Sequence, residues 1–197
     1  LEVHDIGDQD VLQAFAAVCA ERIDPLVREN NRDEHLPQLR RYDAVGRRTE
    51  AIVHHPSYHE IGRLAYASRA LTLFREPGHE RRAMARMYLF AQNGEGGHAC
   101  PVACTAGLIK ALRHAGNPRP DWTERLVDPD YDRHFIGAQF LTEVQGGSDV
   151  GANALVARDA ARGPLPGGAR LPLALLVPFG VLLPAAELEV HHRAQQP

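Results

Sequence analysis

The residues best suited to chemistry lie in one stretch, Leu141-Thr142-Glu143-Val144-Gln145-Gly146-Gly147-Ser148-Asp149-Val150, which follows the apolar run Ile136 to Leu141. Gly146 and Gly147 permit positive φ, so the backbone can bend around a ligand and turn its N–H groups toward an anion. Thr142 and Ser148 add hydroxyls that donate or accept. This is the chemistry of a cofactor-holding turn. Taken alone, T-E-x-x-G-G-S-D is also what an ordinary surface turn uses.

Other side chains invite a metal or anion reading. His98-x-Cys100-x-x-x-Cys104 carries soft and borderline ligands, but zinc takes about four and no second cluster is near in sequence. The plainer reading has Cys100 capping and Cys104 packing in the first turn of a helix that starts at Pro101. His54, His55 and His59 could hold a metal with outside help; the alternative puts His59 in a capped first turn with His55-Pro56 guiding the chain into it. Arg81, Arg82 and Arg86 could touch a phosphate or form a solvated helix face. None of these sets is nominated as a metal site.

Three stretches, in order, carry a family resemblance. They are Asp43-Ala44-Val45-Gly46-Arg47-Arg48 with His55-Pro56-Ser57-Tyr58-His59, then Ala91-Gln92 through Glu95-Gly96-Gly97 to Cys100-Pro101-Val102, and then the T-E-x-Q-G-G-S-D turn. Together they resemble the acyl-CoA dehydrogenase family, and within it the AidB-type branch of adaptive-response flavoproteins, from about Leu36 to Arg158. The resemblance implies a mainly α fold, in which a helical N-terminal domain (1–130) leads into the first strands of a truncated β-barrel middle domain with its flavin loop (131–158). It implies FAD as cofactor and an acyl-CoA or related thioester as substrate, oxidised at Cα–Cβ. Leu141 and Thr142 would lie against the flavin's polar edge, with Gly147, Ser148 and Asp149 near the pyrophosphate or the acyl-CoA entrance. The family's acidic base sits in a C-terminal domain, so no catalytic residue is expected in this chain, and Glu143 reads as a hydrogen-bond acceptor. The chain alone is expected to be inactive. A homo-oligomer is implied for the intact protein. In the alternative AidB-type reading, the flavoprotein acts mainly by binding DNA or another partner.

Composition fits this frame. A hydrophobic fraction of 44%, a charged fraction of 24% and a net charge of −3 mark a globular chain without a basic face in bulk. Three cysteines are too few and too odd in number for a disulfide framework, which points to a reduced, cytoplasmic setting. No leader pattern opens the chain, and the lack of Met at Leu1 raises the expectation that some N-terminus is missing.

The elements that must position these residues read as helices first and strands later. Val11, Phe15, Val18, Cys19, Ile23, Leu26 and Val27 recur at three and four, predicting a helix that Pro25 kinks or splits. Asn30 to Leu39 reads as a loop and Val45 to Val53 as a short extended stretch. Ser57-x-x-Glu60 has capping-box form, predicting a helix from Ser57 to about Phe74. Helices follow over Glu80 to Gln92 and from Pro101 to a Gly116 stop, with Asp121-x-x-Glu124 as another capping box. Phe135 to Leu141 and Ala152 to Ala157 read as strands.

Beyond Arg158 the chain becomes rich in Ala, Gly, Pro, Arg and Leu, with Pro172, Pro178 and Pro184 breaking the apolar run. Residues 159–197 therefore read as an irregular tail, since proline removes ladder donors and disrupts helices. The tail lacks the tryptophan-bearing strand that the family places after the glycine loop. A frameshift near Arg158 to Ala160 in GC-rich DNA accounts for it; a divergent tail or linker is the alternative. The run from Leu171 to Ala186 is shorter than the ~20 residues of a membrane helix, so no membrane partner is expected.

Overall fold

A computed structural model describes residues 9–139 and 179–182. Helix α1, Gln9–Val18, continues through a π turn, Cys19–Ile23, into α2, Asp24–Asn30. The three-and-four spacing does its work here, burying Phe15, Cys19, Ile23 and Val27 on one face. Pro25 does not split the helix. The widened turn ahead of it, in which the Asp24 N–H donates to the Cys19 carbonyl, makes room for a residue that lacks an N–H and crowds the preceding turn.

A hairpin follows: β1, Gln38–Tyr42, pairs antiparallel with β2, Arg48–Val53, placing Leu39 opposite Ile52. The reading of Asn30 to Leu39 as a loop thus gives up its last residues to β1. The turn is made by Asp43, whose Oδ1 accepts from Val45 N (2.9 Å) and Arg47 N (2.8 Å), and by Gly46 at φ +81°. Every residue of both strands is exposed.

Helix α3 spans Pro56–Ala67 and is shorter than the periodicity predicts. His55, not Ser57, is its N-cap, with the imidazole accepting from Ser57 N; Ser57 is buried in the first turn, and its hydroxyl donates to Asn30 Oδ1. Glu60 pairs with Arg22 at 3.1 Å instead of reaching back to the cap. The helix ends where Arg69 takes φ 60° and Ser68 Oγ accepts from Ala70 N. A 3₁₀ turn, Leu71–Phe74, then keeps Leu71 and Phe74 buried, which is why one apolar rhythm runs across two elements.

Helices α4 (Glu80–Ala91), α5 (Ala99–His114) and α6 (Pro120–Leu126) complete the helical body. Gly94 and Gly116, both at positive φ, terminate α4 and α5 as expected. The second capping box is absent: Asp121 forms an ion pair with Arg119 at 2.7 Å, and α6 starts without a side-chain cap. Ile23, Ile61, Leu108, Ile109 and Leu126 are fully buried where these helices meet. Arg113 ties three elements together, donating to the Phe74 carbonyl at 2.9 Å and to Glu80 at 3.0 Å, and this bond holds the Glu80 carboxyl down at about 2. No helix among the described residues is long and apolar enough to cross a membrane.

Strand β3, Ile136–Gln139, lies across α5 and pairs antiparallel with β4, Phe179–Leu182. β4 falls inside the stretch read as irregular. The interval between Pro178 and Pro184 is free of proline and long enough for a four-residue ladder. β3 meets α5 at backbone distance: a Cβ on Gly137 would stand 2.9 Å from Thr105 Cα, and Gly137 N donates to the fully buried Thr105 Oγ1 at 2.9 Å. Replacing Thr105 by Val keeps the shape and strands that buried N–H, so Thr105→Val is expected to cost about 1–3 kcal/mol in urea unfolding, with Thr105→Ser close to the parent.

Candidate functional site

Around the start of α5, histidine and tyrosine rings from three elements converge. On α3, Tyr58, Gly62 and Tyr66 fall at successive turns of one face. Between the two tyrosines, Gly62 leaves a hole. A Cβ there would stand 2.4 Å from Tyr131 Cε2 and 2.8 Å from His98 Cε1. His98 fills this space from the end of the 95–98 turn, its ring stacked on Tyr58 at 4.1 Å and its Nε2 donating to the Tyr58 carbonyl at 2.8 Å. Tyr131 and His134 arrive from the turn after α6; His134 stacks on Tyr66 at 3.8 Å, and Tyr131 Oη meets His59 Nδ1 at 3.1 Å.

Glu95 sets the position of His98. Its buried carboxylate accepts from His98 N (2.8 Å to Oε2) and Ala99 N (3.1 Å), two donors that the start of α5 leaves open. Glu95, rather than Cys100, is therefore the capping group. Cys100 is exposed and Cys104 half-buried, so His98, Cys100 and Cys104 do not share a ligand sphere: the His98 ring is committed to Tyr58. His54 stacks on Tyr58 at 3.9 Å and His59 turns to Tyr131, while His55 faces away toward His35. The 54, 55, 59 trio is not brought together.

Burial keeps this cluster uncharged. It pushes the Tyr66 phenol well up, raises Tyr131 to about 12 and lowers His134 to about 4; His98 is lowered too, chiefly by burial, against the opposing Tyr58 hydrogen bond and Glu95 charge. Tyr66 Oη, His98 Nδ1 and both His134 nitrogens have no hydrogen-bond partner among the described residues. Chemically this is a neutral, polarisable wall that offers the lone pairs of His98 Nδ1 and of one His134 nitrogen, the N–H of the other His134 nitrogen, and the Tyr66 phenolic proton. Glu95 is the one buried carboxylate among the described residues, and both of its oxygens accept backbone N–H bonds.

Beside it, an open groove of about 250 Å³ between α4 and α5 is lined by residues including Met84, Met87, Tyr88 and Val102. Its walls are almost wholly apolar, with the Tyr88 side chain as the one lining group that carries a hydroxyl. Leu141, Thr142, Gly147, Ser148 and Asp149, the residues of the glycine turn, lie outside the described residues. What is described is their approach: β3, fastened to α5 through Thr105, ends two residues before Leu141. Sequence reasoning missed Glu95, Tyr66, Tyr131 and His134. The available signals were the Tyr58, Gly62, Tyr66 spacing and an acidic residue four positions before a helix start.

The family model of the adaptive response protein AidB N-terminal domain matches residues 5–133. The chain belongs to this AidB branch of the acyl-CoA dehydrogenase family. The putative acyl-CoA dehydrogenase AidB of Escherichia coli is 36% identical over 131 residues, covering 59% of this chain and 24% of the relative. Acyl-CoA dehydrogenase family member 11 of Caenorhabditis elegans is 26% identical over 124 residues, or 58% of this chain and 20% of that protein. The chain thus spans a quarter or less of these relatives. The crystal structure of C. elegans ACDH-11 in complex with C11-CoA superposes with a TM-score of 0.63 at 21% identity, covering 76% of this chain and 27% of that one. That likeness shows the fold: a helical body leading into strands.

Two outcomes follow from the cluster. As pH falls from about 6.5 toward about 4, the unfolded chain takes up a proton that folded His134 refuses, so stability is complete above this window and declines within it, by about 3 kcal/mol. His134→Phe is expected to flatten this acid limb in unfolding curves measured from pH 7 to pH 4. Gly62→Ala gains roughly 1 kcal/mol of helix propensity. It is nevertheless expected to lower stability by about 1–2 kcal/mol, because overpacking against Tyr131 and His98 costs up to ~3 kcal/mol.

Proposed function

We infer that the chain serves as the N-terminal part of an FAD-dependent acyl-CoA dehydrogenase-type oxidoreductase, acting on an acyl-CoA thioester at Cα–Cβ. The observation that carries this reading is the junction of β3 with α5. A helical body of the AidB family leads, through a strand fixed at Gly137, directly into T-E-x-Q-G-G-S-D. The described residues fit this role as far as they reach, since a rigid strand end is what a cofactor turn needs to hold its N–H groups in place.

In this reading Leu141 and Thr142 meet the polar edge of the flavin ring, and Gly147, Ser148 and Asp149 lie toward the pyrophosphate or the acyl-CoA entrance. Bound FAD supplies the acceptor for the hydride leaving Cβ as a base removes the Cα proton. The chain's own residues bind and orient; Glu95, buried and engaged by two backbone N–H groups, is a cap and not that base. The base is supplied from outside these residues, and the chain alone does not turn over. The C11-CoA bound to the worm neighbour favours a thioester over DNA as the ligand class.

Titration of the chain with FAD, followed by quenching of flavin fluorescence, is expected to saturate. Ser148→Ala should weaken binding roughly tenfold, the worth of one hydrogen bond to a charged group at about 1.5 kcal/mol. Binding indifferent to Ser148→Ala would remove that residue from the site. Reduction of an artificial electron acceptor by the chain with an acyl-CoA would show that a base is present after all.

A further inference from the structure

Where the hairpin joins the helical body, three groups with metal-ligand chemistry meet. Glu29 lies in the last turn of α2, His35 closes a 3₁₀ turn ahead of β1, and His55 caps α3 just after β2. One donor atom from each lies within 4.8 Å of those of the other two, and all three residues are half-buried. The antiparallel pairing of β1 with β2 and the packing of α3 on α2 bring His35 and His55 together, with ring centroids 3.7 Å apart. We propose that Glu29, His35 and His55 form a divalent transition-metal site of the zinc type, which fastens the root of the hairpin to α2.

The donor set is two imidazoles and one carboxylate. Zinc accepts such a set with three protein ligands and keeps a fourth position for water. The surrounding hydrogen bonds aim these donors. Nδ1 of His35 donates to the Glu29 carbonyl oxygen at 2.8 Å, which leaves the Nε2 lone pair for a metal. Arg32 holds Glu29 Oε2 at 3.1 Å, and Oε1 lies 3.4 Å from His35 Nδ1, so the carboxylate must swing round the ring edge to join a metal on Nε2. His55 Nδ1 is 2.7 Å from Ser57 Oγ, and Ser57 Oγ donates to Asn30 Oδ1 at 3.2 Å. With a metal on Nε2, His55 donates from Nδ1 to Ser57 Oγ and gives up the longer capping contact from Ser57 N at 3.3 Å. Such outer hydrogen bonds are what orient metal-bound histidines.

Donors around tetrahedral zinc stand about 3.4 Å apart, given bonds of ~2.0–2.1 Å. Closing to that size requires Glu29 to rotate and the two stacked rings, now 13° from parallel, to fan apart. Metal binding gives the hairpin something its own faces do not. All its strand residues are exposed, including Leu39, Tyr42 and Ile52, so its angle to the body is set at its root. A metal bridging α2, the start of β1 and the end of β2 fixes that angle.

The test is titration of the whole chain, first stripped with a chelator, with Co²⁺ and then Zn²⁺, followed by calorimetry and by the visible absorption of four-coordinate Co²⁺. The expected result is one equivalent bound with micromolar or tighter affinity, and displacement of Co²⁺ by Zn²⁺. Glu29→Gln and His35→Gln should each weaken binding at least roughly tenfold, and His79→Gln, outside the cluster, should leave it unchanged. Glu29→Gln and His35→Gln leave the α3 cap in place, and their circular dichroism checks that they fold. In parallel, Zn²⁺ should slow protease cleavage within 38–53 in the parent and not in these variants. Failure to find a one-to-one site overturns the proposal, as does binding that survives both substitutions, which would place the metal on others of the eleven histidines. Cleavage indifferent to Zn²⁺ overturns the stapling role.

Discussion

The contact between Gly137 and Thr105 is the one on which the rest of the structure depends. Thr105 sits in the middle of α5 with no exposure, its hydroxyl donating to the Pro101 carbonyl at 2.7 Å while accepting from Gly137 N at 2.9 Å. One oxygen therefore satisfies a strand donor inside an otherwise apolar contact, where an unmade bond is costly. Glycine is required opposite it because the two backbones approach more closely than any Cβ allows. Through this contact the helical body holds β3, which ends two residues before Leu141.

A second constraint lies upstream. The carboxylate of Glu95 closes the start of α5, and in doing so presents His98 to the hole left by Gly62. The aromatic cluster that results joins α3, α5 and the turn after α6 at one place. Burial favours the neutral forms of Tyr66, Tyr131, His98 and His134, and several of their polar atoms have no partner among the described residues. A neutral wall of this kind suits the flank of a cofactor site better than the seat of acid–base chemistry at neutral pH.

The hairpin obeys a different logic. Its turn is fully specified locally by Asp43 and Gly46, yet its faces contact little, and leucine, tyrosine and isoleucine side chains remain exposed along it. Local chemistry therefore creates the element, while two histidines and a glutamate from three separate segments meet at its root.

The sequence by itself determined the helical body, the α4 and α5 ends and the change to strands near Phe135, because apolar spacing and glycine stops act within a few residues of themselves. It also carried the family resemblance, now shown over residues 5–133. Two of its errors, at the capping boxes, share one cause. Ser57 and Asp121 have capping-box partners at the right spacing, but a box is a competition for donors. His55 won the first, and Arg119 drew Asp121 away in the second. The apolar rhythm from Ile61 to Phe74 likewise records burial and not helix continuity, so it passes unbroken over the Arg69 turn. Only the tertiary structure decided that His55 meets His35 and Glu29 rather than His54 and His59, that His98 lies against Tyr58 rather than Cys100, and that Gly137 meets Thr105. Those contacts join residues distant in the chain, and no local periodicity encodes which distant group will be nearest once the core has packed.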